Sequence, residues 1–388
     1  MKALALSASL SRQVGYVLVL GAGLAVGYWL GRSRRRATPS NACVPSSSNV
    51  VDLIGNTPLV RINSLSDATG CEILGKAEFV NPGGSIKDRV ALQIVKEGLS
   101  SGELKEGGTV FEGTAGSTGV SLSLVTAALG CKCHVYLPDD AAIEKAELLQ
   151  AYGASVDRVR PVSISHRDHF VNLARRKAQS TKGGFFSNQF ENLANFRAHL
   201  KTGREIFEQT NGKIDAFVAA AGTGGTIAGI STYLKSKLDG VSVYLIDPPG
   251  SSLYNRVKRG VMYTNVEAEG KRLKNPFDTI TEGIGINRLT RNFMEGEPLI
   301  DGAFQGTDME AVEMSRWLVR EDGLFVGSSS AMNCVGALKV ARKLGPGHTI
   351  VTVLCDGGQR HLSKFHNRAY LEKMNLSPKG CESLDFVH

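Results

Sequence analysis

Twice along this chain a short apolar, strand-like run breaks at a glycine-bearing turn and passes directly into a helix pattern. The first instance is Thr109-Val110-Phe111, the turn Glu112-Gly113-Thr114-Ala115-Gly116-Ser117-Thr118-Gly119, and the apolar stretch Val120–Leu129. The second is Ala216-Phe217-Val218-Ala219-Ala220, the turn Ala221-Gly222-Thr223-Gly224-Gly225-Thr226, and Ile227–Leu234. A strand that feeds a helix must return through a crossover, so its neighbours in the sheet run parallel to it. Further strand-like runs at Cys131–Leu137, Val241–Ile246 and Thr349–Leu354 alternate with helical patterns. The expectation is an α/β fold with parallel sheets. A body of about 325 residues exceeds one small core and predicts two domains. No internal repeat is visible.

The same turns carry chemistry. Hydroxyls and free backbone N–H groups at a strand-to-helix turn suit a carboxylate or a phosphate, and glycines let the backbone approach an anion closely. Taken singly, each turn also reads as a tight connection that needs glycine for geometry alone. A third run adds a reactive group. In Asn81-Pro82-Gly83-Gly84-Ser85-Ile86-Lys87-Asp88-Arg89, Ser85 is an expected N-cap, with Asp88 three residues on as its capping-box partner. Lys87 then falls on the first helical turn, where the positive end of the helix disfavours its charge. A lysine that loses its proton easily can form a Schiff base. Alone it would read as a solvated surface lysine; with two anion-binding turns it does not.

In combination and order, the three runs resemble the fold-type II pyridoxal-phosphate enzymes (tryptophan synthase β-like), and within them the cysteine synthase (O-acetylserine sulfhydrylase) family. Cystathionine β-synthase shares the same core. The resemblance extends over residues 51–370. It implies two α/β domains, a larger one from 50–80 and 193–375 and a smaller one from 81–192, with a C-terminal tail at 376–388. It implies pyridoxal 5'-phosphate as the cofactor, no metal, and a homodimer. Lys87 would hold the cofactor as an internal aldimine and move the substrate's Cα proton. Gly222, Thr223, Gly224, Gly225 and Thr226 would cradle its phosphate. Thr114, Gly116, Ser117, Thr118 and Gln189 would meet the substrate carboxylate, with Ser117 also at the edge of the cofactor ring. Ser329, in Gly327-Ser328-Ser329-Ser330-Ala331, would face the pyridine nitrogen, with Ser330 as the neighbouring candidate. Glu282-Gly283-Ile284-Gly285 and the run from Cys355 to Phe365 resemble loops bordering the cleft.

A hydroxyl does not keep the ring nitrogen protonated as a carboxylate would, so the ring is a weaker electron sink. That favours β-elimination and β-replacement over transamination. The implied reaction converts O-acetyl-L-serine and sulfide to L-cysteine through an aminoacrylate. The first turn departs from the family, which usually has proline at Gly113, serine at Ala115 and asparagine at Ser117. A serine hydroxyl is shorter than an amide and offers fewer protons. This departure keeps two alternatives open: a cystathionine β-synthase-type or cysteine desulfhydrase reaction on the same scaffold, or a membrane-anchored scaffold protein with little catalysis.

The N-terminal 49 residues contain six basic side chains (Lys2, Arg12, Arg32, Arg34, Arg35, Arg36) and no acidic one. Subtracting six from the formal +8 leaves +2 for the rest, which gives no basic surface for nucleic acid. Residues 14–31 are uncharged and apolar apart from tyrosine and glycine, and as a helix would span roughly 27 Å. Tyr16 stands near one end, Tyr28 and Trp29 near the other, and the arginines follow at once. The reading is a transmembrane anchor in the mitochondrial outer membrane, with the endoplasmic reticulum as alternative, a linker to residue 49, and the enzyme domain in the cytosol. A secretory signal would place its charge before the apolar run.

Seven cysteines cannot all pair, and their spacing holds no metal pattern, which fits a reducing compartment. Cys131 and Cys133 share one face of a strand and read as core. His166 and His169 read as a solvated loop rather than a zinc site. No N-terminal Cys/His element of haem type and no tandem domain after residue 375 is expected, which leans away from a full-length cystathionine β-synthase.

Overall fold

A computed structural model describes residues 48–114, 116–264 and 279–388. The body begins at Asn49, whose side chain caps a short 3-10 turn, Val50–Leu53. The membrane reading of residues 14–31 lies outside the described residues. Among the described residues, no helix is long and apolar enough to cross a membrane.

Among the described residues, ten strands form two sheets. The larger has the order β1-β2-β10-β7-β8-β9, built from β1 (Leu59–Arg61), β2 (Glu72–Ala77), β7 (Ala216–Ala219), β8 (Ser242–Asp247), β9 (Gly302–Gln305) and β10 (Thr349–Leu354). The smaller has the order β5-β4-β3-β6, built from β3 (Thr109–Gly113), β4 (Lys132–Pro138), β5 (Ser155–Val159) and β6 (Gly184–Phe186). All pairs in the smaller sheet are parallel. In the larger sheet every pair is parallel except β1 with β2, which is antiparallel. The expected α/β fold with parallel sheets is the fold observed, with one antiparallel pair at the edge of the larger sheet. Residues 62–71 join β1 to β2 through one short helix, Asn63–Thr69, and a parallel crossover needs a dozen residues or more.

The helices that matter for the site are α1 (Lys87–Ser101), α2 (Ser117–Ala128), α3 (Ile143–Ala151), α4 (Phe170–Ser180), α5 (Ala194–Gln209), α6 (Gly225–Lys235), α7 (Asp308–Asp322) and α8 (Ser328–Leu344). Central strands of a sheet covered on both faces should be apolar throughout. In β10, Ile350, Val351, Val353 and Leu354 are all fully buried, each worth about 1.5–3 kcal/mol relative to exposure. Ile350 and Leu354 pack with α7 and α8 on one side, while Val351 and Val353 pack with α5 and α6 residues on the other. The smaller sheet has its own core with α1, α2 and α3, where Val110, Val135, Ile94, Val125 and Leu149 meet. Cys133, buried in that core, has its thiol pushed up to about 12 by burial. The last residues also belong to the body. Leu384 and Val387 are buried, and the Arg342 guanidinium donates to the carbonyls of both.

Candidate active site

In an open parallel sheet the strands' carboxyl ends and the following turns leave a crevice where ligands bind. Here the turns after β3, β7 and β10 converge on one cavity of about 260 Å³. Lys87, Thr114, Gly116, Ser117, Thr118, Gln189, Gly222, Thr223, Gly224, Thr226 and Ser329, eleven of the twelve residues expected from sequence, line it. Gly225, the remaining one, opens α6 directly behind them, packed against the Asn195 amide.

Lys87 is the first residue of α1. Its approach is pinned to the end of β10: the Ile86 N–H donates to the Cys355 carbonyl at 2.8 Å, and Ser85 bridges Asp356. The expected capping box does not form. Ser85 Oγ accepts from the Lys87 N–H at 3.3 Å, but Asp88 turns the other way, accepting from Gly83 N–H at 2.6 Å and Ser121 Oγ at 2.5 Å. Asp88 thus fastens the loop before Lys87 to α2. The Lys87 amine sits below its ordinary pKa, as expected, but the principal cause is burial, with Cys355 and Asp356 pulling the other way. An amine held partly neutral is a nucleophile and a base.

The turn after β7 is a cradle in which side chains would not fit. A Cβ on Gly222 would strike the Gly283 carbonyl, one on Gly224 the Phe293 backbone, and one on Gly225 the Asn195 amide. Gly224 also has φ +82°, a left-handed conformation that favours glycine. The Thr290 hydroxyl donates to the Thr223 carbonyl at 2.7 Å, and the Gly285 N–H to the Ala221 carbonyl at 2.8 Å. Asn195 Nδ2 donates to Thr223 Oγ1 at 2.9 Å, and His199 Nε2 lies 3.3 Å from Thr226 Oγ1. Burial holds His199 well below its usual pKa. Two hydroxyls, a glycine backbone and the N-terminus of α6 converge at this end of the cavity, which suits a phosphate.

The other turn starts α2. Thr118 Oγ1 donates to Gln189 Oε1 at 2.6 Å, and Gln189 Nε2 donates to Glu112 Oε1 at 3.3 Å. Glu112 is fully buried beneath them and also accepts from Ser187 Oγ at 2.6 Å and Gln189 N–H at 3.2 Å. Burial pushes its carboxyl up to about 7, against those hydrogen bonds. Among the three serines opening α8, two hydroxyls are engaged elsewhere: Ser328 Oγ accepts from Glu282 N–H, and Ser330 Oγ donates to the Asp356 carbonyl at 3.1 Å. Ser329 is the one that lines the cavity.

One wall was not legible as a unit in the sequence. Lys145 from α3 pairs with Glu282, and His361 Nε2 lies 2.9 Å from Asp356 Oδ2. Burial opposes ionisation of Glu282, yet Lys145, His361 and Lys364 hold its carboxyl down at about 2. His169 was read as part of a solvated loop, and that is corrected: it is 2 % exposed, caps α4 and lines the cavity. A polar side chain just before the helix pattern Phe170–Ser180 was the available signal. Among the described residues no group of three or more His, Cys, Asp or Glu could hold a metal ion.

The amine, the anion cradle and the hydroxyl at Ser329 line one cavity and fit pyridoxal phosphate in donor type. The chain matches the family described as pyridoxal-phosphate dependent enzyme over residues 50–356. It is 55 % identical over 350 residues to Cysteine synthase 2 of Schizosaccharomyces pombe, covering 88 % of this chain and 89 % of that protein. It is 50 % identical over 330 residues to a Saccharomyces cerevisiae cysteine synthase whose name provisionally assigns it to the mitochondrion, covering 82 % of this chain and 84 % of the relative. Among solved structures, the O-acetylserine dependent cystathionine beta-synthase of Helicobacter pylori superposes with a TM-score of 0.72 at 30 % identity, over 82 % of this chain and 98 % of that one. This chain belongs to the pyridoxal-phosphate dependent enzyme family.

Proposed function

We propose that this protein is a pyridoxal-phosphate-dependent cysteine synthase, which forms L-cysteine from O-acetyl-L-serine and sulfide by β-replacement. The observation that carries the reading is Lys87, its amine pKa lowered by burial, on the same cavity as the cradle residues Gly222, Thr223, Gly224 and Thr226. The high identity to named cysteine synthases supports the choice of reaction.

When bound, pyridoxal phosphate supplies an electrophilic carbonyl for the amino group and a ring that accepts charge from Cα. Residues 222–226 would hold its phosphate through backbone N–H groups, the hydroxyls of Thr223 and Thr226, and the start of α6. Lys87 Nζ would hold the cofactor, and its amine is the base that would take the Cα proton. Thr114, Gly116, Ser117, Thr118 and Gln189 hold the α-carboxylate, and the Thr118–Gln189 hydrogen bond fixes the amide for that task. The Cβ–O bond breaks, acetate leaves with the bonding pair, and sulfide forms the Cβ–S bond. Lys87 returns the proton to Cα. Ser329 would offer the ring nitrogen a neutral hydroxyl, which favours loss of the β-substituent over transamination. The charged wall of Lys145, Glu282 and His361 lies beside this path.

The reading divides the body into a larger domain (50–80 and 193–375) and a smaller one (81–192). The division is supported by the separate cores of the two sheets. A homodimer follows from the family pattern. Anchoring in the mitochondrial outer membrane through residues 14–31 rests on the uncharged apolar run and the arginines after it. The full chain should stay in the membrane pellet after carbonate extraction, and residues 45–388 should not.

The deciding experiment follows the visible spectrum of residues 45–388, loaded with pyridoxal phosphate, as O-acetylserine and then sulfide are added. A spectral change on O-acetylserine, reversed by sulfide with cysteine detected by mass, is expected. A spectrum unmoved by O-acetylserine but moved by serine or cysteine would refute the assignment and favour the alternative reactions.

A further inference from the structure

His169 is a cavity residue that the reaction as described leaves unused. Its ring is 2 % exposed and lines the cavity. Nδ1 accepts from the Val171 N–H at 3.3 Å, capping α4, while the buried Nε2 has no hydrogen-bond partner. The first bond fixes the tautomer. A nitrogen that accepts an N–H carries no proton, so in the neutral ring the proton is on Nε2. Burial, assisted by Arg288, lowers the imidazole pKa to about 4, so the ring is neutral in ordinary buffers. A buried donor without a partner costs on the order of 1–3 kcal/mol, so its retention calls for an acceptor that arrives from outside.

Its position is set by the end of β3. A Cβ at Gly113 would lie 2.5 Å from the Phe170 carbonyl oxygen and 2.6 Å from Val171 Cα. The start of α4 is therefore packed on the strand that runs into the Thr114–Thr118 turn. The cavity surface there is formed by His169 together with Ile164, Phe170 and Val171, while the guanidinium of Arg288, which also lines the cavity, is paired with Glu191 at 2.7 Å. One N–H donor set among apolar side chains matches an uncharged group with one acceptor oxygen and an apolar end. An acyl ester has that form, and a free hydroxyl does not.

We propose that His169 Nε2–H is a specificity-determining hydrogen-bond donor to the carbonyl oxygen of the substrate's β-acyl group, selecting O-acylserines over serine. This rests on the β-replacement reading above. The donor also stabilises the departing carboxylate, whose oxygen gains negative charge as the Cβ–O bond breaks.

Two substitutions separate this role from the capping role. Asparagine places its amide near Nδ1, so His169→Asn keeps an acceptor for Val171 N–H and removes the donor in the cavity. Glutamine reaches the Nε2 position, so His169→Gln keeps a donor in the cavity and gives up the cap. The probes are O-acetylserine and β-chloroalanine, whose leaving group has no carbonyl. In H169N the ratio of kcat/KM for O-acetylserine to that for β-chloroalanine should fall about tenfold, the worth of one hydrogen bond. In H169Q the ratio should stay within about threefold of wild type, although that variant has the weaker helix and the lower melting temperature. Equal losses on both substrates in H169N, or a ratio that follows melting temperature across the two variants, would overturn the inference alone. Wild-type protein that uses serine in preference to O-acetylserine would overturn the proposed function as well.

Discussion

Replacing Gly224 with alanine tests whether the cradle is built by close packing or merely by turn geometry. Two costs add at this position. Holding a non-glycine residue at φ +82° costs roughly 1–2 kcal/mol. The new Cβ would also lie 2.6 Å from Phe293 Cα and 2.7 Å from Phe293 N, and these backbone atoms cannot swing aside as a side-chain tip can. Overpacking of this kind costs about 1–3 kcal/mol. Gly323, which ends α7 at φ +67° with nothing within 4 Å of a built Cβ, isolates the first cost. Urea unfolding of the cofactor-free proteins should therefore show G224A less stable than G323A by about 1–3 kcal/mol. The displaced N–H groups should also weaken pyridoxal phosphate binding roughly 10–100-fold in G224A, the worth of one hydrogen bond to a charged group, with no change in G323A. Equal stability losses in the two variants would refute the close-packing argument. Unchanged cofactor affinity in G224A would refute the placement of the phosphate.

Other consequences concern the amine, the carboxylate site and a buried charge cluster. Lys87→Ala should bind the cofactor without the wild-type visible absorption and lose turnover by at least about three orders of magnitude, because it removes both the anchor and the Cα base; stopped assays for cysteine measure this. Thr118→Val leaves Gln189 Oε1 without its donor, so KM for the amino acid should rise about tenfold with a smaller change in kcat. Glu205 pairs with Lys76 at 2.7 Å and Arg89 at 2.6 Å. Burial opposes its ionisation, but Arg89 and Lys76 outweigh that and bring its pKa from 4.5 to about 2. A depressed carboxyl pKa stabilises the fold above the unfolded value, and the contribution fades as pH falls from about 4.5 to 2. The stability gap between wild type and E205Q should thus approach about 3 kcal/mol near pH 7 and close toward pH 2 in denaturation curves. A constant gap across that range would refute the assignment.

Local pattern carried much of this protein's fold. The runs expected at Ala216–Ala220 and Thr349–Leu354 became β7 and β10 within one residue, because a strand buried on both faces is written as an unbroken apolar run. The strands β1, β2, β5, β6 and β9 went unseen for the opposite reason. All but β2 are short or lie at sheet edges, β5 carries Asp157 and Arg158 with most of its residues exposed, and β2 breaks its apolar run with Glu72, Gly75 and Lys76. The capping box at Ser85 failed because Asp88 found better partners in Gly83 and Ser121, and Ser121 lies on another helix.

The sequence by itself determined the chemical parts: the lysine at a helix start, two glycine-bearing turns at strand ends, and a serine at the start of α8. Each depends only on neighbours within a few residues, so each can be read from order and spacing. Tertiary structure decided what those parts face. It chose Ser329 over Ser330 for the cavity by engaging the second with the Asp356 backbone. It lowered the Lys87 pKa by burial rather than through the helix end alone. It also turned His169 from an apparent loop residue into a buried donor, because Gly113 admits α4 against the end of β3. Desolvation and hydrogen-bond competition are set by groups far apart in the chain, so no local pattern could have carried them.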